Sequence, residues 1–385
     1  MIGETFAKLP PELQDKALSK LMQSGLFSRV PGFAMLFETM EFIGGNGAEL
    51  RAIFRQVDSL DESGIAAVRA FADDVRNEAD LAASVSDDVV ARRRYRESVV
   101  YYAVADWLTP DWEGAQENYD RMIPAFDRYR SLTNPHIEKI ELPYETGSLY
   151  AYFRLPESSD PPFPAVVIVQ GNDSVKELMT PFERAAIDRG LATLTIDQAG
   201  WGESGLTGNR FNSLDDLGNS ATIAADFLAD DERIDVDRIG LFGISYGALL
   251  APLSAGLEPR FSAVVGLGGP IFHPGRIEDI WNAVPELMVR RSYRFTGTQN
   301  REELINWTEN IIDEVYDTLH SVTCPAKIVH DGSDQHVPLD DAHRLSREIG
   351  DNASMKIVPR GNHMCTDTLS RNVVPYMCNW LRKTL

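Results

Sequence analysis

The sequence predicts an α/β chain: a mostly parallel, doubly wound sheet preceded by an all-helical unit and interrupted by a helical insertion. Three observations carry this. From Pro164 onward short apolar strands alternate with helical patterns, the signature of parallel strands joined by crossover helices. Before that, from Pro10 to about Tyr129, apolar residues recur at helical spacing with almost no β-branched run. Residues 271–321, lying between two strand patterns, are too long for a loop and read as inserted helices.

Taken in order, the helical segment shows Ile65, Val68 and Val75, then Val99, Val100, Val104 and Trp107, each set on one face. Turn signals stand at Pro31-Gly32, Gly44-Gly45-Asn46-Gly47, Ser63-Gly64 and Thr109-Pro110. At Thr133-Asn134-Pro135 the period changes to two. Ile137 to Pro143 and Leu149 to Pro156, around Glu145-Thr146-Gly147-Ser148, read as an antiparallel hairpin. Pro164 to Val169 is a continuous apolar strand buried on both faces. Further strands are expected at Leu191 to Ile196, Arg238 to Phe242, Ala263 to Leu267, Ala326 to Val329 and Ser354 to Val358. Helices fall between them, and a closing helix runs from Thr366 to Leu381. The expected organisation is therefore an N-terminal helical cap or dimerisation domain over 1–134 and a catalytic domain over 135–385, with 271–321 as a lid.

A chain of 385 residues accommodates a core domain of this kind plus a second unit. Its net charge of −21 argues against nucleic acid and anionic membrane as partners, since both are polyanions. The basic run Arg92-Arg93-Arg94-Tyr95-Arg96 sits between acidic residues in a helical pattern and reads as a solvated or interdomain face. The first residues, Met1-Ile2-Gly3-Glu4-Thr5, lack the basic start and apolar stretch of a signal peptide, and a cytoplasmic location is expected. The three cysteines, Cys324, Cys365 and Cys378, are too few and scattered for a disulfide framework and read as small buried hydrophobes. No metal-ligand spacing appears and no cofactor is implied. Gly200-Trp201-Gly202 lacks the spacing of a dinucleotide fingerprint and reads as a tight loop.

The chemistry centres on Gly243-Ile244-Ser245-Tyr246-Gly247, which sits between an expected strand and an expected helix. In such an elbow the serine backbone is strained, and only small neighbours two residues away are tolerated. A serine hydroxyl needs a base oriented by a third group, and after an elbow the order along the chain is acid, then histidine. The acid should follow the strand ending at His330. Asp334 is the choice and Asp331 the rival, because Asp331 suits a turn former. Of seven histidines, only His363 lies in the loop after the last strand. The developing oxyanion needs donors: the Tyr246 amide, and the Asn172 amide in the loop Gln170-Gly171-Asn172, where Gly171 permits close approach.

These stretches resemble the alpha/beta-hydrolase superfamily. Within it, Gln170-Gly171-Asn172-Asp173-Ser174-Val175-Lys176-Glu177 and Asp197-Gln198-Ala199-Gly200-Trp201-Gly202-Glu203-Ser204 are similar to motifs of one group. That group contains 2,6-dihydroxypseudooxynicotine hydrolase, the fermentation-respiration switch protein and fungal polyketide chain-shortening hydrolases. The resemblance implies an alpha/beta-hydrolase fold, a triad on Ser245, Asp334 and His363, and a homodimer with the site between a helical domain and the core. Gln170, Ala199 and Asp331 depart from the group's glycine, proline and glycine.

The expected function is a serine hydrolase that cleaves an ester or an activated ketone carbon-carbon bond in a small, aromatic or polyketide-like molecule. Trp281, Trp307 and Phe272 are candidates to roof the pocket. Carbon-carbon cleavage needs a second, buried acid, for which Glu278 and Asp279 are the candidates. An acyltransferase or cyclase with the same triad, and a regulatory binding protein on the same fold, are the alternatives.

Overall fold

The computed structural model describes residues 9–25, 31–157, 160–367 and 371–385. The start Met1 to Thr5 and residues 368–370 of the expected closing helix lie outside them. The chain divides into two compact units: Met1–His136 with Glu278–Arg294, and Ile137–Ile277 with Phe295–Leu385.

The first unit is helical: α1 (Pro11–Gln23), α2 (Pro31–Phe42), α3 (Gly47–Gln56), α4 (Glu62–Ser84), α5 (Asp88–Leu108) and α6 (Trp112–Ser131). Asx residues start four of these by accepting the amides that the first turn leaves unpaired. Asn46 accepts from Ala48 and Glu49, Asp61 from Ser63, Asp87 from Val90 and Asp111 from Gly114. Two expected turns are instead helix starts. Pro31 is the first residue of α2, where a missing N–H costs nothing, and Gly64 lies in the first turn of α4, where a Cβ would come 2.0 Å from the Ser59 carbonyl. The basic run is also not a solvated face throughout. Arg92 and Arg93 are exposed, but Arg94 is buried in ion pairs with Glu49, Glu78 and Glu97, and Arg96 donates to the Ile43 carbonyl. Buried charge is tolerated only when paired in this way. Within the same unit Asp106, at the buried end of α5, accepts from Arg291 and, at 3.0 Å, from Arg294.

The second unit is built on eight strands: β1 (Glu138–Tyr144), β2 (Gly147–Arg154), β3 (Phe163–Val169), β4 (Ala192–Asp197), β5 (Ile234–Ile244), β6 (Ala263–Leu267), β7 (Ala326–Asp331) and β8 (Ala353–Val358). Their order is β1-β2-β4-β3-β5-β6-β7-β8. The opening hairpin pairs β1 with β2 and β2 with β4 antiparallel, and β3 through β8 are parallel to one another. β3 and β6 are apolar and buried along their whole length, as strands between helical layers must be, and β4 is buried throughout although it carries Thr193, Thr195 and Asp197. Its helices are α7 (Thr180–Ile187), α8 (Gly202–Leu206), α9 (Leu214–Ala229), α10 (Gly247–Leu257), α13 (Arg301–His320), α14 (Leu339–Ile349) and α15 (Val373–Thr384), while α11 (Ile277–Ala283) and α12 (Glu286–Thr296) belong, but for their end residues, to the first unit. Strand order reverses direction at β3, so the loops leaving the carboxyl ends of β3 and β5 lie side by side. In open α/β sheets that crevice is where ligands bind. Among the described residues no helix is long and apolar enough to cross a membrane. All three cysteines are free and buried.

Candidate active site

Ser245 follows the last residue of β5 with φ +54°, the left-handed geometry expected of an elbow. Its amide donates to Leu267 of the neighbouring strand at 2.8 Å. The flanking glycines are required by contact: a Cβ on Gly243 would lie 2.1 Å from the Gly247 carbonyl oxygen, and one on Gly247 would lie 2.2 Å from that of Val169.

The structure brings Ser245, His363 and Asp334 together. Ser245 Oγ lies 2.9 Å from His363 Nε2, and His363 Nδ1 lies 2.6 Å from Asp334 Oδ2. Burial pushes the Asp334 carboxyl up, but the hydrogen bond and charge of His363 and the amides of Val337 and His336 outweigh it and hold it below the ordinary range. An ionised Asp334 can only accept, so Nδ1 carries the proton and Nε2 presents its lone pair to the serine hydroxyl. The other oxygen, Oδ1, accepts from the amides of His336 at 2.7 Å and Val337 at 3.0 Å, which fixes the carboxylate plane. Asp331 does not reach the histidine. It is buried, and its Oδ1 accepts from the Ser333 amide and hydroxyl, so it forms the turn.

Two supporting residues escaped the sequence reading. His330 is fully buried, donates through Nε2 to the Val337 carbonyl at 3.0 Å and stands 3.8 Å from Asp334. Burial lowers its proton affinity against the pull of Asp334, so a neutral ring braces the acid's turn. Gly268, after β6, has φ +68°, and a Cβ there would come 2.8 Å from the His363 carbonyl oxygen and 3.2 Å from ring Cε1. No motif marks it; only the return of the histidine loop across β6 does.

The loop after β3 passes against the elbow: a Cβ on Gly171 would come 3.0 Å from Ser245 Cβ. Trp201 Nε1 donates to the Gly171 carbonyl at 3.2 Å, which makes the Gly-Trp-Gly stretch the strut of this loop. Asn172 is half-buried, and the Tyr246 ring is buried among aromatic side chains. Trp201 stacks on Phe295 at 4.2 Å between centroids; Tyr246 lies 6.2 Å from Trp201, 5.9 Å from Phe295 and 6.3 Å from Phe272. Trp307 packs edge-on against Phe211 at 5.3 Å, and Phe211 in turn lies 5.8 Å from Trp201. Burial raises the Tyr246 phenol, which stays neutral.

Glu278, Asp279 and Trp281 belong to the helical unit. Trp281 is buried, but both carboxylates are exposed, so neither is the buried acid that carbon-carbon cleavage was expected to need.

Residues 69–295, more than half of the chain, match the family described as esterase FrsA-like. The chain is 27% identical over 315 residues to 2,6-dihydropseudooxynicotine hydrolase of Paenarthrobacter nicotinovorans, covering 82% of each protein. It is 28% identical over 256 residues to 20-hydroxy-prefusarin hydrolase FUS2 of Gibberella moniliformis, covering 62% of this chain and 60% of that one. In fold it is similar to the crystal structure of 2,6-dihydroxy-pseudo-oxynicotine hydrolase, with a TM-score of 0.76 at 24% identity over 90% of this chain and 95% of that one. The fold class and the family expected from the elbow and the two loop motifs are both borne out. This chain, an enzyme of hydrolase type on the alpha/beta-hydrolase fold, belongs to the esterase FrsA-like family.

Proposed function

We propose that the chain hydrolyses an ester of a small, aromatic or polyketide-like acid through a covalent acyl-enzyme. The observation that carries this is the contiguous Ser245, His363 and Asp334 hydrogen-bond chain beyond the carboxyl ends of β5, β8 and β7. Ser245 Oγ attacks the acyl carbonyl while Nε2 of His363 takes its proton, and Asp334 stabilises the resulting imidazolium. The charge that develops on the carbonyl oxygen is received by the amides of Tyr246 and Asn172. Collapse breaks the bond to the alcohol, which leaves with the proton from His363. Water, deprotonated by the same ring, then releases the acid and restores Ser245.

The aromatic cluster around Tyr246 supports a flat or apolar acyl group, since such surfaces bind rings by stacking and burial. Carbon-carbon cleavage of an activated ketone, which would place its oxyanion in the same hole, is the variant of this reading. The exposed Glu278 and Asp279 give it no second acid, so ester cleavage is the reading we adopt. The resemblance further leads us to expect a homodimer, which sedimentation of the purified chain tests.

The test is labelling by a fluorophosphonate probe together with turnover of p-nitrophenyl butyrate. Wild type should be labelled and active, and Ser245→Ala should lose both. Labelling that persists in Ser245→Ala would assign the nucleophile elsewhere.

A further inference from the structure

Behind the loop that carries Asn172 lies an ionic cluster in which Lys176, Glu177 and Asp197 are fully buried and Glu203 is partly so. Lys176 is shielded from solvent, and its Nζ lies 3.0 Å from Asp197 Oδ2, 2.8 Å from Glu203 Oε2 and 2.7 Å from Glu177 Oε1. The rings of Tyr152 and Tyr150, on β2, stand 5.1 and 6.0 Å from the same nitrogen. Lys139, on β1, holds Glu203 from outside at 2.7 Å.

The Asp197 carboxylate, at the end of β4, is the hub. Its Oδ1 accepts from Gln170 Nε2 at 2.7 Å and from the Lys176 amide at 3.0 Å, so it grips both ends of the loop that leaves β3. Its Oδ2 accepts from the Glu203 amide at 2.9 Å, beside the bond to Lys176. Gly202 is obligatory here, because a Cβ would fall 2.1 Å from that oxygen. The loop's middle is pinned by Trp201, which leaves the same β4 connection. Gln170, where the related group has glycine, is thereby explained: its side chain adds a bond to the hub.

Burying ionisable groups of this kind is expensive, and replacing such a set by apolar residues is often neutral or stabilising. Fold stability therefore does not account for the cluster's placement. What its geometry does hold is the loop of Gly171 and Asn172 beside Ser245, bonded at Gln170 and at Lys176.

We propose that Asp197, with Lys176 and Gln170, is the positioning device of the oxyanion-binding loop, setting the Asn172 amide for the transition state. This rests on the serine-hydrolase reading above. The residues act through the loop and do not touch the substrate. An oxyanion donor moved out of line loses transition-state binding while leaving ground-state binding almost intact. Asp197→Asn turns one acceptor oxygen into an NH2 that must face Lys176 or an amide, which releases one end of the loop.

The experiment measures kcat and KM for p-nitrophenyl butyrate per fluorophosphonate-labelled site, and Ki for a trifluoromethyl ketone, whose hemiketal oxyanion occupies the same hole. In Asp197→Asn, kcat per labelled site should fall at least about tenfold and Ki should rise in parallel, with KM within about threefold. Counting per labelled site removes any loss of folded protein. Gln170→Leu, which keeps the ion pairs, should show the same pattern at smaller size and serves if Asp197→Asn does not fold. Unchanged kcat per site and unchanged Ki in a labelled variant would overturn the proposal and leave the hydrolase reading standing. Wild type that is neither labelled nor active would overturn both.

Discussion

His363 Nδ1 and Asp334 Oδ2 are 2.6 Å apart, a charge-assisted hydrogen bond made to a carboxylate whose second oxygen is held by two backbone amides. The acid therefore sets both the tautomer and the plane of the ring that faces Ser245. Asp334→Asn should keep the contact but place an NH2 against Nδ1, favouring the tautomer with its proton on Nε2. We expect kcat to fall by about three to four orders of magnitude, as in the analogous substitution of other triads. Asp331→Asn, which alters only a turn, should leave kcat per labelled site within about threefold. Steady-state assays on both variants decide it; equal losses would mean that the acid is misassigned.

Gly268 offers a test that involves no polar group. Alanine there meets the His363 carbonyl at 2.8 Å and the ring at 3.2 Å, on a backbone with φ +68°. Strain in the left-handed region costs about 1–2 kcal/mol, and the ring must also shift. A displacement of a fraction of an ångström lengthens the Ser245 contact, so Gly268→Ala should lower kcat about tenfold or more with a modest loss in urea midpoint. Full activity in a destabilised protein would show that the histidine loop yields without moving the ring.

How much of this was legible follows from what each feature depends on. β3 and β6 announced themselves because a strand buried on both faces must be apolar throughout, as Ala165 to Val169 is. Ser245, Asp334 and His363 were legible because the elbow dictates their order and places along the chain. His330, Gly268 and the Asp197 hub were not. Each is defined by a neighbour far away in sequence, and histidine, glycine or aspartate at a strand end is locally unremarkable. Arg94 and Arg96 misled because a charge run reads as solvated unless its partners, here Glu49, Glu78 and Glu97 with the Ile43 carbonyl, are known to converge on it.

In the helical unit, Asp106 pairs with two buried guanidinium groups, those of Arg291 and Arg294 on the 278–294 segment. Burial pushes its carboxyl up, yet Arg291 and Arg294 outweigh this and hold it below the ordinary range. Asp106→Ala would remove the carboxylate that two buried cations share, a loss of about 3–5 kcal/mol. Denaturant unfolding should show it, and Arg294→Met combined with Asp106→Ala should recover part of the loss. Additive losses would mean the groups are not coupled.

The last prediction concerns pH. Burial, first of all, pushes the Glu177 carboxyl up, and the nearby Asp197 and Glu203 add to this, while Lys176 opposes it; the result is about 7. The groups facing it are Lys176 beside it, Tyr152 from β2, whose hydroxyl donates to Oε1 at 2.9 Å, Asp197 from β4 and Glu203 from α8. The unfolded chain releases this proton near the ordinary value of 4.5, whereas the folded protein keeps it until about 7. The folded state therefore binds more protons between those values, so the group's contribution to stability is whole below 4.5 and is lost as pH rises to about 7. Glu177→Gln retains Oε1 as an acceptor for Tyr152 and Lys176 and cannot ionise. Its stability relative to wild type should rise steadily from pH 5 to pH 7.5 and then level, as read from urea unfolding at each pH. A difference that stays constant across this window would mean that Glu177 ionises at its ordinary value inside the folded protein.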